Sequence, residues 1–217
     1  MASSLTVSNG AVLLCQGWDT SLNAGDIGVY GSVTHATNSA LGTNAAGGWT
    51  PDARIYLICG SLFVATNGVI DANWRGYRGA DNINNSGYGM GPGGGGPGTA
   101  TRGAGGGYGG RGSDSSTGGA IGGSPYGAMA APVDPGSGGG YGRDHNLNYG
   151  NYGHGGGVVR VEARRSIAVD GTISADAYYG GPNNSMCGGG AGGSIYLRCR
   201  SLAGGTSGSL HARGGDG

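Results

Sequence analysis

The chain has no lysine. All 12 of its basic residues are arginine, and of its 12 acids all but Glu162 are aspartate. Without lysine there is no phosphate-loop GxxxxGK[ST], no lysine Schiff base and no kinase-type lysine. Strong helix formers are scarce, so ordinary helical bundles and α/β enzymes are excluded. The formal net charge is zero, which argues against sequence-independent nucleic-acid binding, since that rests on a basic surface. Apolar runs stop at five residues, as in Ala11 to Cys15, far short of the ~20 that a membrane helix needs. No charged-then-apolar leader opens the sequence. Proline numbers 7, and the glycines do not fall at every third residue, which excludes collagen.

What the chain does have is glycine, 56 in 217 residues, against ~7% in an average protein. Residues 76–157 hold 32 of them, the first 75 residues hold 10 and the last 60 hold 14. This divides a single domain, 1–217, into a β-rich start (1–75), a glycine-rich insertion (76–157) and a β-rich end (158–217).

The flanks repeat. Ile55-Tyr-Leu-Ile-Cys-Gly-Ser-Leu…Val-Ile-Asp-Ala72 aligns with Val159-Arg-Val-Glu-Ala…Thr-Ile-Ser-Ala175 and with Ile195-Tyr-Leu-Arg-Cys…Ser-Leu-His-Ala212. Each copy reads as an alternating strand, a Ser-[Leu/Ile] pair, a glycine turn and [Ile/Leu]-x-Ala. Strict alternation marks half-buried strands. Ile55, Leu57 and Cys59 then point inward with Val159, Val161, Ala163 and Ile195, Leu197, Cys199, while Tyr56, Arg160, Glu162, Tyr196 and Arg198 face out. One unit cannot bury its inward row alone. Stacked units can, which predicts an all-β fold of β-solenoid or sandwich-like stacked strands with essentially no α-helix. Ser4-Leu-Thr-Val-Ser-Asn-Gly10 copies Ser61-Leu…Asn-Gly68, so the sequence is expected to begin in mid-repeat and to end just after a completed one. Ile27 to Val33 supplies a further short strand.

The insertion reads in two ways. Glycine-rich chain is ordinarily a flexible linker. Seven tyrosines (77, 88, 108, 126, 141, 149 and 152), five prolines and the apolar stretch Pro125 to Val133 argue instead for packed extended chain of polyglycine II type, with backbones in close approach. The order Trp74-Arg-Gly-Tyr-Arg-Gly79, a glycine run, Gly-Gly-Ser-Pro-Tyr-Gly127, Gly-Ser-Gly-Gly-Gly140, Val169-Asp-Gly-Thr-Ile-Ser-Ala175 and Gly-Gly-Ser-Ile-Tyr-Leu197 resembles the repeat block of large glycine-rich bacterial surface proteins. These have the strand-turn rhythm of filamentous-haemagglutinin-like solenoids. The resemblance implies an extracellular or cell-surface location and a structural or adhesive role.

Candidate chemistry is thin. Cys15, Cys59, Cys187 and Cys199 form no CxxC, and so no zinc or thioredoxin motif. At least one disulfide would suit an extracellular glycine-rich chain, although Cys59 and Cys199 share an inward repeat position that would equally suit buried thiols. His35 and His211 lie apart. Asp144-His145 with His154 is a weak metal pattern, better read as solvated loop, and Gly214-Gly-Asp-Gly217 is a lone calcium-repeat-like string. Asp19, Asp26, Asp52 and Asp71 could supply a hydrolase carboxylate pair, but nothing sets their separation, and no GxSxG elbow occurs. Trp18, Trp49 and Trp74 could stack on sugars, with packing the simpler use. Asn84-Asn-Ser86 and Asn183-Asn-Ser185 are glycosylation sequons. No enzyme activity and no cofactor are therefore expected. The expected function is a self-assembling fibre, sheath or surface layer, built by head-to-tail contacts of Leu5, Val7 and Val12 against Leu197 and Leu210. The alternative is an adhesin or carbohydrate-binding module, with glycans as the partner.

Overall fold

The alternation that marks Ile55 to Cys59 as a strand also sets which side chains enter the core, because successive residues of a strand point to opposite faces. In the computed structural model, which describes residues 2–38, 48–80, 87–98, 102–116, 119–142, 153–180 and 187–217, thirteen strands follow this rule. They are β1 (Ala2–Val7), β2 (Val12–Cys15), β3 (Leu22–Val29), β4 (Ser32–His35), β5 (Ile55–Cys59), β6 (Ser61–Val64), β7 (Val69–Asp71), β8 (Val158–Ala163), β9 (Ser166–Val169), β10 (Thr172–Ser174), β11 (Ser194–Arg198), β12 (Ser201–Ala203) and β13 (Ser209–His211). The chain is all-β, with no helix among the described residues. Among the described residues no helix is long and apolar enough to cross a membrane.

All strand pairs are parallel, and equivalent strands of successive units lie side by side. One sheet runs β11-β8-β5-β3-β6-β9-β12, with β1 also on β3, and the other runs β13-β10-β7-β4-β2. The register matches the repeat alignment. Ile55 pairs with Val159 and Val159 with Ile195, Leu62 pairs with Ile167 and Ile167 with Leu202, and Ile70 pairs with Ile173 and Ile173 with Leu210. The long β3 bridges both columns of the first sheet, pairing with β5 through Leu22 and Asn23 and with β6 through Asp26 to Val29. In the sequence only its second half is legible, because Asn23, Gly25 and Asp26 carry no strand signal.

The core is thus a set of like-on-like rows. Ile27, Leu62 and Ile167 form one, and Val33, Ile70 and Ile173 another, each member fully or almost fully buried. Each such side chain contributes about 1.5–3 kcal/mol by leaving water. The turns that bring the chain round to the next strand are tight. A Cβ on Gly68 would overlap the Val29 carbonyl oxygen, and one on Gly171 the Gly68 carbonyl oxygen.

Two buried polar side chains tie loops to this stack. Asn38 donates to the carbonyls of Ala53 (3.1 Å) and Arg75 (2.7 Å) and accepts from the backbone N–H of Asp52 and Ala53, so its amide is satisfied on both ends. The His35 ring, with no exposed surface, places Nδ1 2.7 Å from the Ala36 carbonyl, while its Nε2 accepts the Val158 N–H at 3.2 Å. Those two bonds require the proton on Nδ1. His154 is also buried, against the solvated-loop expectation. Asp144 and His145 lie outside the described residues, as do both sequons, Tyr149 and Tyr152.

The glycine segments make a second layer. Residues 136–140 are buried and hydrogen-bonded outward to several neighbours in turn. Gly138 N–H donates to Met90, Gly139 to Gly153 and Gly140 to Ala104. In 188–193, Gly188 and Ala191 donate to Gly140 and Ser137, Gly190 and Gly193 donate to Tyr178 and Ala175, and the carbonyls of Gly189 and Gly190 receive Gly106 and Gly215. The partner changes with a period of three residues, where a strand's would alternate with a period of two. The layer also draws on 175–180 and 188–193, so it is wider than the 76–157 insertion alone. Close approach explains the composition: a Cβ on Gly139 would overlap the Gly188 carbonyl oxygen, and one on Gly188 that of Ala104. Tyrosines pin the layer. Tyr108 Oη lies 2.6 Å from Ser194 Oγ, and Tyr126 donates to the Pro135 carbonyl, with the two rings edge to face at 5.0 Å.

Candidate functional site: the ends and flank of the strand stack

Among the described residues both ends of the stack are open. β11, β12 and β13 each have a strand neighbour on one side only, as do β1 and β2 at the other end. The inward rows continue to these ends with no cover among the described residues. Leu202 ends the row Leu5, Ile27, Leu62, Ile167 and is 56% exposed, although Ile167 beside it is fully buried. Leu210 ends the row Leu13, Val33, Ile70, Ile173 and is 46% exposed. An inward side chain of an end strand is packed on one side and faces water on the other. The strand edges there present unpaired backbone donors and acceptors, a template for further pairing.

The candidate assembly residues divide accordingly. Leu5 packs against the core, Val7 is buried in it and Leu197 is half-buried on its edge. Val12 is 67% exposed because it faces outward, in the row Val12, Ser32, Val69, Thr172, Ser209. The inward residues at these positions that spacing alone passed over are Leu13 and Leu202. The alignment of Ser201-Leu202 with Ser61-Leu62 already carried the signal for Leu202.

The four cysteines are free thiols. Cys59 pairs with Ala163, and Arg198 with Glu162, so Ala163 separates Cys59 from Cys199 in their shared row. Two ladder spacings put their Cα atoms roughly 10 Å apart, beyond the ~7 Å that a disulfide spans. Burial pushes the Cys59 thiol up to about 11, with smaller effects from Asp26 and Arg165, and burial also raises Cys15 and Cys187.

The aspartates of the candidate hydrolase pair serve separate ends. Asp26 pairs with Arg165 at 2.5 Å on the first sheet, Asp71 receives the Asn73 N–H at the end of β7, and the Asp52 backbone is held by Asn38. Among the described residues no group of three or more His, Cys, Asp or Glu side chains could hold a metal ion.

The outward face of β5, β8 and β11 carries an arginine–aromatic ladder. The Arg54 guanidinium lies over the rings of Trp18 (4.7 Å) and Tyr56 (4.9 Å), and that of Arg160 over Tyr56 (4.6 Å) and Tyr196 (5.7 Å). Each such contact contributes about 0.5–1 kcal/mol at an exposed site. Glu162 is its hub, accepting from Tyr56 Oη (3.0 Å) and from Arg160 Nε (2.9 Å) and Nη2 (2.5 Å). Burial works against ionising Glu162, but the hydrogen bonds from Arg160 and Tyr56 and the charges of Arg160 and Arg198 leave its carboxyl below the usual value. Burial and the bond to Glu162 raise the Tyr56 phenol. Because Arg54 and Arg160 both stack on Tyr56, this row does not offer that ring's faces to a sugar. Trp49 packs edge to face on Tyr77 at 5.8 Å. Trp74 differs: it is 50% exposed, has φ 59° and contacts Tyr178 edge to face. Comparison with protein-family models, with curated proteins and with solved structures found no match to this chain.

Proposed function

We propose that the protein is an extracellular structural subunit that assembles head to tail into a fibre, sheath or surface layer, its stacked strands acting as a β-solenoid and its glycine layer as a polyglycine II-like bundle. The observation that carries this reading is the pair of end rows, in which Leu202 and Leu210 are half exposed beside fully buried neighbours. A second copy set in register would place its Leu5 on Leu202 and its Leu13 on Leu210, extending both sheets by parallel pairing. That contact joins two different faces, so it is heterologous, and a heterologous contact that does not close propagates into a filament. Zero net charge removes long-range repulsion between copies. The threefold hydrogen-bond rotation in 188–193 and the glycines that admit no Cβ support the polyglycine II assignment.

The test is sedimentation and negative-stain microscopy of the purified chain over a range of concentrations. L202D puts a charge at the open end of the row and gives up only the packing that half-exposed Leu202 makes on Ile167. It is expected to leave a folded monomer and abolish filaments. A wild-type chain that stays monomeric at high concentration refutes the reading. The second reading, an adhesin or carbohydrate-binding module, is favoured by Trp74. A non-glycine residue in the left-handed region costs about 1–3 kcal/mol and is tolerated mainly at functional sites, and here it displays an exposed indole. A glycan array compared between wild type and W74A tests it.

A further inference from the structure

Where the first sheet turns from β8 to β9 and from β11 to β12, the chain carries Arg164-Arg165 and Arg200, with Arg198 one residue before Cys199. We infer that this corner is a binding site for the carboxylate groups of an acidic polysaccharide. Arg164, Arg198 and Arg200 line one cavity of about 570 Å³ together with Ile58, Glu162, Ala163 and Cys199. That volume falls within the range of small-ligand sites, ~300–1,000 Å³.

The charges around the cavity do not balance. Arg160 is taken up by Glu162 at 2.5 Å, and Arg165 by Asp26 at 2.5 Å and by Ser61 Oγ at 3.1 Å. Arg198 reaches Glu162 only at 3.9 Å, on the carboxylate oxygen that Arg160 leaves. Arg164 and Arg200 are exposed and have no carboxylate within ion-pair distance among the described residues. Five of the chain's 12 arginines therefore meet two carboxylates at this corner, in a molecule of zero net charge. Three guanidinium groups that line one cavity repel one another until an anion arrives, and a concave site of one sign concentrates such anions.

The chemistry of the lining selects the anion. Guanidinium presents a planar fork that takes a carboxylate by two parallel bonds. The backbone fixes where these arginines leave the chain: Arg164 and Arg165 N–H donate to Cys59 and Gly60, and Arg200 N–H donates to Arg165. Ile58 and Cys199 supply a small apolar floor suited to a sugar ring. Single-stranded nucleic acid fits poorly, because it needs free aromatic faces on which bases can stack, and the cavity lining contains no aromatic residue. The corner takes in the turn between the end strands β11 and β12, with Arg198 on the outward side of β11, so it borders one open end of the stack. This inference goes beyond the assembly reading and does not depend on it.

The test is titration of the intact protein with polygalacturonate by calorimetry at low and at physiological salt. Polyphosphate and single-stranded DNA are run as competitors. The corner variant R164Q/R198Q/R200Q is compared with R102Q/R111Q/R213Q, which removes the same charge elsewhere. Binding that weakens with salt is expected. The corner variant should lose at least ~10-fold, since charge-assisted bonds are the strong ones, and the control less than ~3-fold, as screened distant charges require. The single variant R200Q, on an exposed side chain, is expected to lose ~2–3-fold and serves if the triple variant does not fold. Absence of polygalacturonate binding at low salt overturns the proposal. So does equal loss in the two triple variants, or displacement of polygalacturonate by equimolar DNA or polyphosphate.

Discussion

Acid should loosen this stack through one imidazole. His35 lies inside the fold and joins β4 to the first residue of β8 through the Val158 N–H. Protonating Nε2 would remove that acceptor and place a charge where water cannot reach. Burial lowers the His35 pKa from 6.5 to about 4, with a smaller opposing effect from the Ala36 carbonyl and a further lowering from Arg75. The unfolded chain therefore takes up this proton near pH 6.5, and the folded chain only near pH 4. Between those values the unfolded state binds more protons, and stability falls as pH falls. The contribution is complete above pH 6.5 and fully lost below about pH 4. At 1.36 kcal/mol per pKa unit the loss is about 3 kcal/mol. The assay is urea unfolding of wild type and H35Q across pH 7.5 to 3.5. Carboxylates titrate in both proteins and cancel in the difference. H35Q should be less stable at pH 7.5 by about 1–3 kcal/mol, because Val158 loses its partner. The wild-type curve should then fall towards that of the variant as pH drops through 6.5 to 4. Parallel curves over that interval refute the assignment of His35 as a buried neutral hydrogen-bond bridge.

Two further predictions concern glycine and sulfur. G139A should destabilise by about 1–3 kcal/mol, as overpacking does, because its Cβ meets the Gly188 carbonyl. G110A, with open space around it, should change stability by less than ~1 kcal/mol of either sign. Thermal or chemical unfolding of the pair separates close backbone packing from mere glycine richness. Native-state alkylation at pH 8, read by peptide mass spectrometry, should label Cys199 well before Cys59, whose thiol is buried and pushed up to about 11. All four cysteines should label once the chain is unfolded without reductant, as free thiols require.

Much of the strand framework is legible in the residues themselves. Ile55, Val159 and Ile195 stack because each opens the same alternating pattern, and a one-residue slip would turn every inward row to water. The candidate end contacts were half legible. Leu5 and Val7 followed from copying Ser61 to Val64, while Val12 was placed by hydrophobicity alone and proved to face outward. Its neighbour Leu13 holds the inward place. The arginine–aromatic ladder was legible in part: the repeat alignment puts Tyr56, Arg160 and Tyr196 in one outward row, while the contact of Arg54 with Trp18 joins segments that no spacing relates. Asn38 and His35 were not legible either: apart from the adjacent Ala36 carbonyl, their partners lie 14 to 123 residues away.

The sequence by itself determined the fold class, the period-two rows and the exclusion of lysine chemistry and of long helices. These depend on residue type and local periodicity, which act within a few neighbouring residues. Tertiary structure alone decided which rows end uncovered, which thiols lie too far apart to join, and which glycines touch another backbone. Each of these is a property of distance between segments remote in the chain. A glycine looks the same in the sequence whether it faces open solvent, as Gly110 does, or the Gly188 carbonyl, as Gly139 does. Only the packing of the second segment makes the missing Cβ a requirement.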